Sequence, residues 1–407
     1  MNAAILDAED PLQPIRERFN LPKEKLYLCN NSLGLPPISA FTLMQEQLQR
    51  WAQVGVEGWF EEKAGWYTLF DNRLRGALAR LLGAQEAEVI VMNSLTVNLH
   101  LLLVSFYRPT SNRYKILIES PIFPSDLYAI KSHLALHGWD PEKALIILEP
   151  RAGEYTLRHE DIEDALLRES SSLALVYFSS VNFLTGQVLD TQAITRKAKD
   201  VGAIVGFDLA HAAGNIPLQL HEWGVDFAVG CSYKYLCSGP GGPGLAYVHA
   251  DHHEKKLFRL SGWWGNDPET RFQMQLQPEF IPFGGASSWQ VSTPSILSMA
   301  PLIASLEIFD EIGMEAFRKK SEKLTTFLLQ ELAKLSSDKF TIITPTERGC
   351  QLSLLFKEDA ENTLHRLEAE GVICDFRPPN ILRVTPSPLY TSFAEIAEFV
   401  SRLRNCL

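Results

Sequence analysis

The chain has 407 residues, more than one hydrophobic core usually supports, and its 46% hydrophobic and 21% charged content is ordinary for a globular protein in water. With 38 Lys and Arg against 49 Asp and Glu, the net charge of −11 argues against nucleic acid or an anionic membrane surface as a main partner. The six cysteines form no CxxC pair, and "MNAAILDAEDPLQP" lacks the apolar run of a signal peptide, so a cytoplasmic protein without a metal site is expected.

Residues 1–45 read as an irregular N-terminal segment ("NNSLGLPPIS") expected to dock near a smaller domain, and "AFTLMQEQLQRWAQVG" follows as an amphipathic helix. From residue 88, short apolar runs alternate with helical patterns: "EVIVMN", "YKILIES", "ALIILEP", "SLALVYFSS", "GAIVGFD" and "VDFAVGCS". The runs are continuous rather than alternating, which predicts a mainly parallel sheet covered on both faces. A long helical region, "SILSMAPLIASLEIFDEIGMEAFRKKSEKLTTFLLQELAKL", leads out of that sheet. Beyond it, "FTIITP", "CQLSLLF", "ICDFRP" and "ILRVTP" read as strands, with helices "ENTLHRLEAEGV" and "SFAEIAEFVSRLRNC". The expected organisation is a large α/β domain over 46–290 and a small α+β domain over 291–407.

Ligands of open α/β sheets bind beyond the carboxyl ends of the strands. After "EVIVMN", Ser94 and Thr96 open an apolar helix whose free N–H groups suit an anion, or else serve as a plain N-cap. "YKILIES" leads to "PIFPSD", which presents Phe123 and Asp126. "GAIVGFD" ends in Asp208, with His211 just beyond, and a buried carboxylate needs a cationic partner. "VDFAVGCS" runs into Tyr233 and Lys234, the only Lys or Arg between Lys199 and Lys255. The bland reading is an Asp208–Lys234 ion pair. Pyridoxal phosphate accounts for all four strand ends at once. Its aldehyde needs a lysine, its ring nitrogen an acid, its phosphate a helix N-terminus and its ring an aromatic face.

With "GFDLAHAAGNIPLQLHEWGVDFAVGCSYKYL" added to "NNSLGLPP", "MNSLTVNLHLLLVSFYRPT", "IFPSDLYAI", "FLTGQ", "RLSGWWGN" and "RVTPSPLYTSF", the sequence resembles the kynureninase family. The resemblance runs from about residue 26 to residue 393. It implies the fold type I architecture of pyridoxal-phosphate enzymes and hydrolysis of L-kynurenine to anthranilate and L-alanine in tryptophan catabolism. It also implies a homodimer with shared active sites. Lys234 would carry the Schiff base, Asp208 would hold the pyridine nitrogen, and Phe123 would stack on the ring. Leu95, Thr96, Pro124, Ser125, Asp126, Ser179 and His211 would line the cofactor. Tyr233 would contact the phosphate and is a candidate proton donor, while Trp263 and Thr293 would reach that phosphate from the neighbouring subunit. Arg383 would clamp the substrate α-carboxylate with Ser32 nearby, and Trp59, Asn266, Ser292 and Thr293 would shape the rest of the substrate pocket. Trp59 and Thr293 follow a pattern that favours kynurenine over its 3-hydroxy derivative.

Three rivals remain open on the sequence. A cysteine desulfurase shares the Asp, His and Lys layout, with Cys350 as the candidate nucleophile. A catalytically idle cofactor-binding scaffold would have lost one of Lys234, Asp208 and Arg383, and all three are present. A nucleotide site built on "GPGGPG" lacks the Lys-Ser/Thr ending of a phosphate loop, so those glycines are expected to let backbone approach Lys234.

Overall fold

A computed structural model describes residues 2–61, 66–335 and 338–407. Among them, seven strands form the main sheet: β1 Val89–Val91, β2 Lys115–Glu119, β3 Leu145–Leu148, β4 Leu173–Ser179, β5 Ile204–Asp208, β6 Phe227–Cys231 and β7 Gly244–Val248. Their order is β1-β7-β6-β5-β4-β2-β3. β7 is the antiparallel member, paired with β1 on one side and β6 on the other. Helices cover both faces, so β6 and β7 are buried along their whole length. That is why these segments lack the alternation of a half-exposed strand. β7 was not anticipated, because its five residues follow directly on the glycine-proline run.

The glycines of that run have a different use from the expected one. A Cβ on Gly244 would lie 2.8 Å from the Ser94 carbonyl carbon and 3.0 Å from the Leu95 nitrogen, and one on Gly242 would strike the Ser238 and Ser232 hydroxyls. They let β7 close on the start of helix Leu95–Phe106 rather than on Lys234 itself. It is Gly34, in the N-terminal segment, whose missing side chain lets backbone lie against the Lys234 carbonyl. The Gly34 amide donates to the Tyr233 carbonyl at 2.8 Å, which fastens that contact.

The long helical region is two helices, Ile296–Ile312 and Met314–Leu332, broken at Gly313 where φ is 71°. Glycine takes that left-handed conformation without strain. The first helix is apolar on nearly every face and packs in the same core as the main sheet. From Leu324 onward, the second shares a separate core with the C-terminal residues. Its sheet joins β8 Phe340–Ile342, β9 Leu352–Phe356, β10 Asp375–Arg377 and β11 Ile381–Val384, all antiparallel, in the order β10-β11-β9-β8.

The N-terminal segment belongs to both cores. Leu12, Ile15 and Phe19 are buried with the main sheet, whereas Leu26 and Leu28 are buried with the C-terminal helices. Leu26–Tyr27 pairs in parallel with Val372–Ile373, and Asp7 accepts the Phe393 and Ala394 amides at the start of the last helix. Among the described residues, no helix is long and apolar enough to cross a membrane.

Candidate active site

Neighbouring strands bring the chemistry together. Ser179 ends β4 directly beside Asp208 at the end of β5. Glu119 ends β2, one strand further on, and Lys234 follows β6 on the other side. Phe123, Asp126, Tyr177, Ser179, Asp208 and Glu119 are among the residues that line one cavity at these ends.

Lys234 is 9% exposed, and its Nζ lies 5.6 Å from the centre of the Phe123 ring and 5.9 Å from that of Tyr233. Among the described residues it makes no hydrogen bond or ion pair, so the bland pairing with Asp208 is not formed. The two are still close enough for the lysine to pull the Asp208 pKa down against the larger effect of burial, which pushes it up. Asp208 is buried, and its Oδ1 accepts the Ala210 amide at 2.7 Å.

Asp126, in the first turn of helix Pro124–Leu136, is 1% exposed and hydrogen-bonds Asp208. Burial first, then the Asp208 charge, hold the Asp126 carboxyl well above the ordinary range. The same hydrogen bond lowers the Asp208 pKa. Asp126 therefore keeps the proton and Asp208 accepts it. Two adjacent buried carboxyls repel each other when both are charged, and the single nearby amine of Lys234 does not outweigh burial at either one. Tyr177 donates to the far oxygen of Asp126 at 3.4 Å.

The anion end is open. Ser94 makes no side-chain cap to helix Leu95–Phe106, so the plain N-cap reading fails and the first-turn amides keep their donors. The Thr96 and Ser125 hydroxyls stand 3.2 Å apart at that end. His211 is fully buried with Nδ1 unpartnered. Burial and, after it, the Lys234, Arg383 and Arg377 charges drive its pKa well down, so the imidazole is neutral. An unpaired amine, a buried acid pair, an aromatic face, an open helix start and an orphaned ring nitrogen form the donor set that pyridoxal phosphate requires. The residues present fit that group.

Other expected residues have different placements. Ser179 gives both its amide and its hydroxyl to Glu119. Arg383 is completely buried on β11, ion-paired with Asp375 and donating from Nη1 to the Phe183 carbonyl at 2.6 Å. Ser32 also donates to Asp375, at 2.6 Å. Trp59 stacks edge-on against Trp66 and Trp264 with ring centres at 5.2 and 5.5 Å, and Trp263 meets Trp264 at 4.8 Å. Asn266 holds its own loop, accepting the Ile281 amide at 2.8 Å. Ser292 and Thr293 lie just before helix Ile296–Ile312. Within one chain, none of Trp59, Trp263, Asn266, Ser292 and Thr293 lines the cavity at Asp208.

Glu119 escaped the sequence reading, although it ends an apolar strand just as Asp208 does. It is 2% exposed, and burial raises its pKa to about 7 against hydrogen bonds from Ser179 and Asn182. Cys350, the candidate desulfurase nucleophile, is fully buried on the Ser321 hydroxyl at 3.2 Å, and burial pushes its thiol to about 12. A thiol so placed is not a nucleophile.

A sheet-end lysine beside a buried acid pair, in this fold, is the layout of the fold type I pyridoxal-phosphate enzymes. Solved structures agree on the fold. A C-DES variant with glycine linked to its PLP cofactor superposes with a TM-score of 0.81 at 18% identity, covering 96% of this chain and 99% of its own. Apo cysteine desulfurase from Thermococcus onnurineus NA1 gives 0.78 at 18% identity, covering 97% of each. The sequence comparisons are narrower. Kynureninases of Myxococcus xanthus, Koribacter versatilis and Xanthomonas campestris are 50%, 48% and 45% identical, over 98%, 98% and 99% of this chain and 96% of each relative. The profile of the kynureninase C-terminal domain matches residues 317–403. The chain belongs to the kynureninase family.

Proposed function

We propose that the protein hydrolyses the Cβ–Cγ bond of L-kynurenine, giving anthranilate and L-alanine, and takes 3-hydroxykynurenine less well. One observation carries the reading: the unpaired Lys234 amine, 5.6 Å from the Phe123 ring and beside the Asp208–Asp126 pair, in a chain of this family. Pyridoxal phosphate, when bound, supplies an aldehyde for the lysine and a ring that accepts the electrons left at the substrate α-carbon.

The chain's own groups then have distinct tasks. Lys234 Nζ anchors the cofactor and, once displaced, moves the α-proton. Asp208 keeps a proton on the pyridine nitrogen, and Asp126 steadies Asp208 from behind. Leu95, Thr96 and Ser125 receive the phosphate, and Phe123 covers one ring face. Tyr233 would give a proton to Cβ of the alanine half that stays bound once water has taken the γ-carbon away as anthranilate, because burial raises its pKa above the ordinary value and keeps the hydroxyl protonated. Trp59, held edge-on by buried Trp66 and Trp264, would offer an aryl-ketone ring an apolar edge with no acceptor for an added hydroxyl, which disfavours the 3-hydroxy substrate.

The experiment is direct. The purified protein, loaded with cofactor, is given each substrate while release of anthranilate or its 3-hydroxy form is followed. Kynurenine should give the higher kcat/KM, and no product from either overturns the proposal.

The working form in this reading is a homodimer. Helix Ile38–Val54 carries Phe41, Leu48 and Trp51 exposed on one face, at 60%, 44% and 60%, and Val56 and Phe60 extend the patch. Phe60 also meets Phe272 at 4.8 Å, next to exposed Met274 and Leu276. Apolar patches of this extent mark interfaces. Trp263 meets Phe272 of this patch at 6.0 Å, which suits a residue that completes a neighbour's pocket. Trp51→Glu is expected to shift the protein toward monomer in sedimentation and to lower activity with it. A monomeric parent protein would remove the dimer from the proposal. Six free cysteines suit the reducing cytoplasm, where the enzyme is placed.

A further inference from the structure

We infer that Arg377 is a second binding residue for the substrate carboxylate and that Asp375 aligns it with Arg383. This inference rests on the proposed activity. It starts from how few donors Arg383 has left. Of the five guanidinium N–H groups, Nη1 gives one to the Phe183 carbonyl, and Nη2 gives its pair to Asp375 and its neighbours. With the Asn31 amide turned to satisfy Thr385, its oxygen also accepts from Nε at 3.2 Å and Nη2 at 3.1 Å. One Nη1 N–H remains, whereas a two-point clamp on a carboxylate needs two. Arg383 is also wholly buried, which leaves it far less accessible to a ligand than Arg377.

Arg377 supplies what is missing. It lies two residues from Asp375 on β10, and Asp375 faces Arg383 in the antiparallel register, so all three side chains share one face of the small sheet. Its Nη2 donates to Asp375 at 3.2 Å, while its Nε is buried and has no hydrogen-bond partner. Its side chain is 36% exposed, against 0% for Arg383. The charges of both arginines act on buried His211, which ties the cluster to the site around Lys234. Two guanidiniums face one carboxylate, so the cluster holds one surplus positive charge. An α-carboxylate cancels that surplus and finds one N–H on Arg383 and an unused N–H on Arg377.

The test compares Arg377→Gln and Arg377→Lys with the parent holoenzyme. For Arg377→Gln, KM for L-kynurenine should rise about 10- to 100-fold while kcat changes less than about threefold, the loss expected for one charged hydrogen bond. The dissociation constant of L-alanine, read by calorimetry without turnover, should weaken in parallel. Inhibition by kynurenamine, which lacks the carboxylate, should stay within about twofold. Arg377→Lys keeps the charge without the fork and should fall between, which also covers the case in which the glutamine variant does not fold. Unchanged KM and L-alanine affinity, or an equal loss toward kynurenamine, overturns the inference. If the parent enzyme releases no product, the activity reading fails separately, and the L-alanine arm still decides whether Arg377 receives a carboxylate.

Discussion

Lys234→Ala is expected to abolish turnover of L-kynurenine while leaving the fold in place. The side chain makes no hydrogen bond or ion pair among the described residues, so its loss breaks no direct contact, although buried Asp208 loses the pull of a nearby cation. What it leaves is a small gap beside Phe123 and Tyr233. Thermal unfolding should therefore change little, and the gap removes an ammonium from a largely buried position, which offsets part of the lost packing. Borohydride should no longer fix pyridoxal phosphate to the chain, as read by mass. A variant that keeps both turnover and covalent attachment would dismantle the reading of the site.

The second large effect is expected at Asp208. Asp208→Asn keeps the shape and removes the charge opposite the pyridine nitrogen. The charge matters most as electrons enter the ring, so kcat should fall about 10²- to 10⁴-fold, a loss of about 3–5 kcal/mol of transition-state stabilisation. Asp126→Asn should cost much less, because Asp126 hydrogen-bonds Asp208 and acts on the ring only through it. Steady-state kinetics on the two variants at saturating cofactor decide the order. Equal losses would mean that the pair acts as one unit, and a larger loss at Asp126 would reverse the assignment. The arrangement also supplies a proton at the right place. The acid pair already holds the one that a ring nitrogen needs, and a cation there lets both carboxyls ionise.

Much of this was legible in the chain because the signals are local. Continuous apolar runs bounded by polar residues placed β1 to β6, and the last residue of a run such as "GAIVGFD" pointed to the carboxyl edge where ligands bind. β7 was lost because five residues after a glycine-proline run carry little period of their own. Gly313 splits a helical pattern that stays apolar through the break, so periodicity alone joined the two helices. Glu119 had the same signature as Asp208 but lacked an obvious cofactor atom to pair with. Asp375 and Arg377 alternate in "ICDFRP" as any exposed strand would. Only the register with Arg383 shows that they share a face, and register is a long-range property that no local pattern carries.

Leu26–Tyr27 docks on Val372–Ile373, and the same N-terminal segment presses Gly34 against the loop of Lys234. An early stretch of the chain thus waits for one about 345 residues further on. Until the C-terminal core exists, Leu26 and Leu28 have no core to enter, and the segment over Lys234 is held only from its other side, by Leu12, Ile15, Phe19 and the Gly34 amide. The frame around Lys234 therefore depends on residues far along the chain, and a chain cut before Val372 would lack the strand on which Leu26–Tyr27 docks.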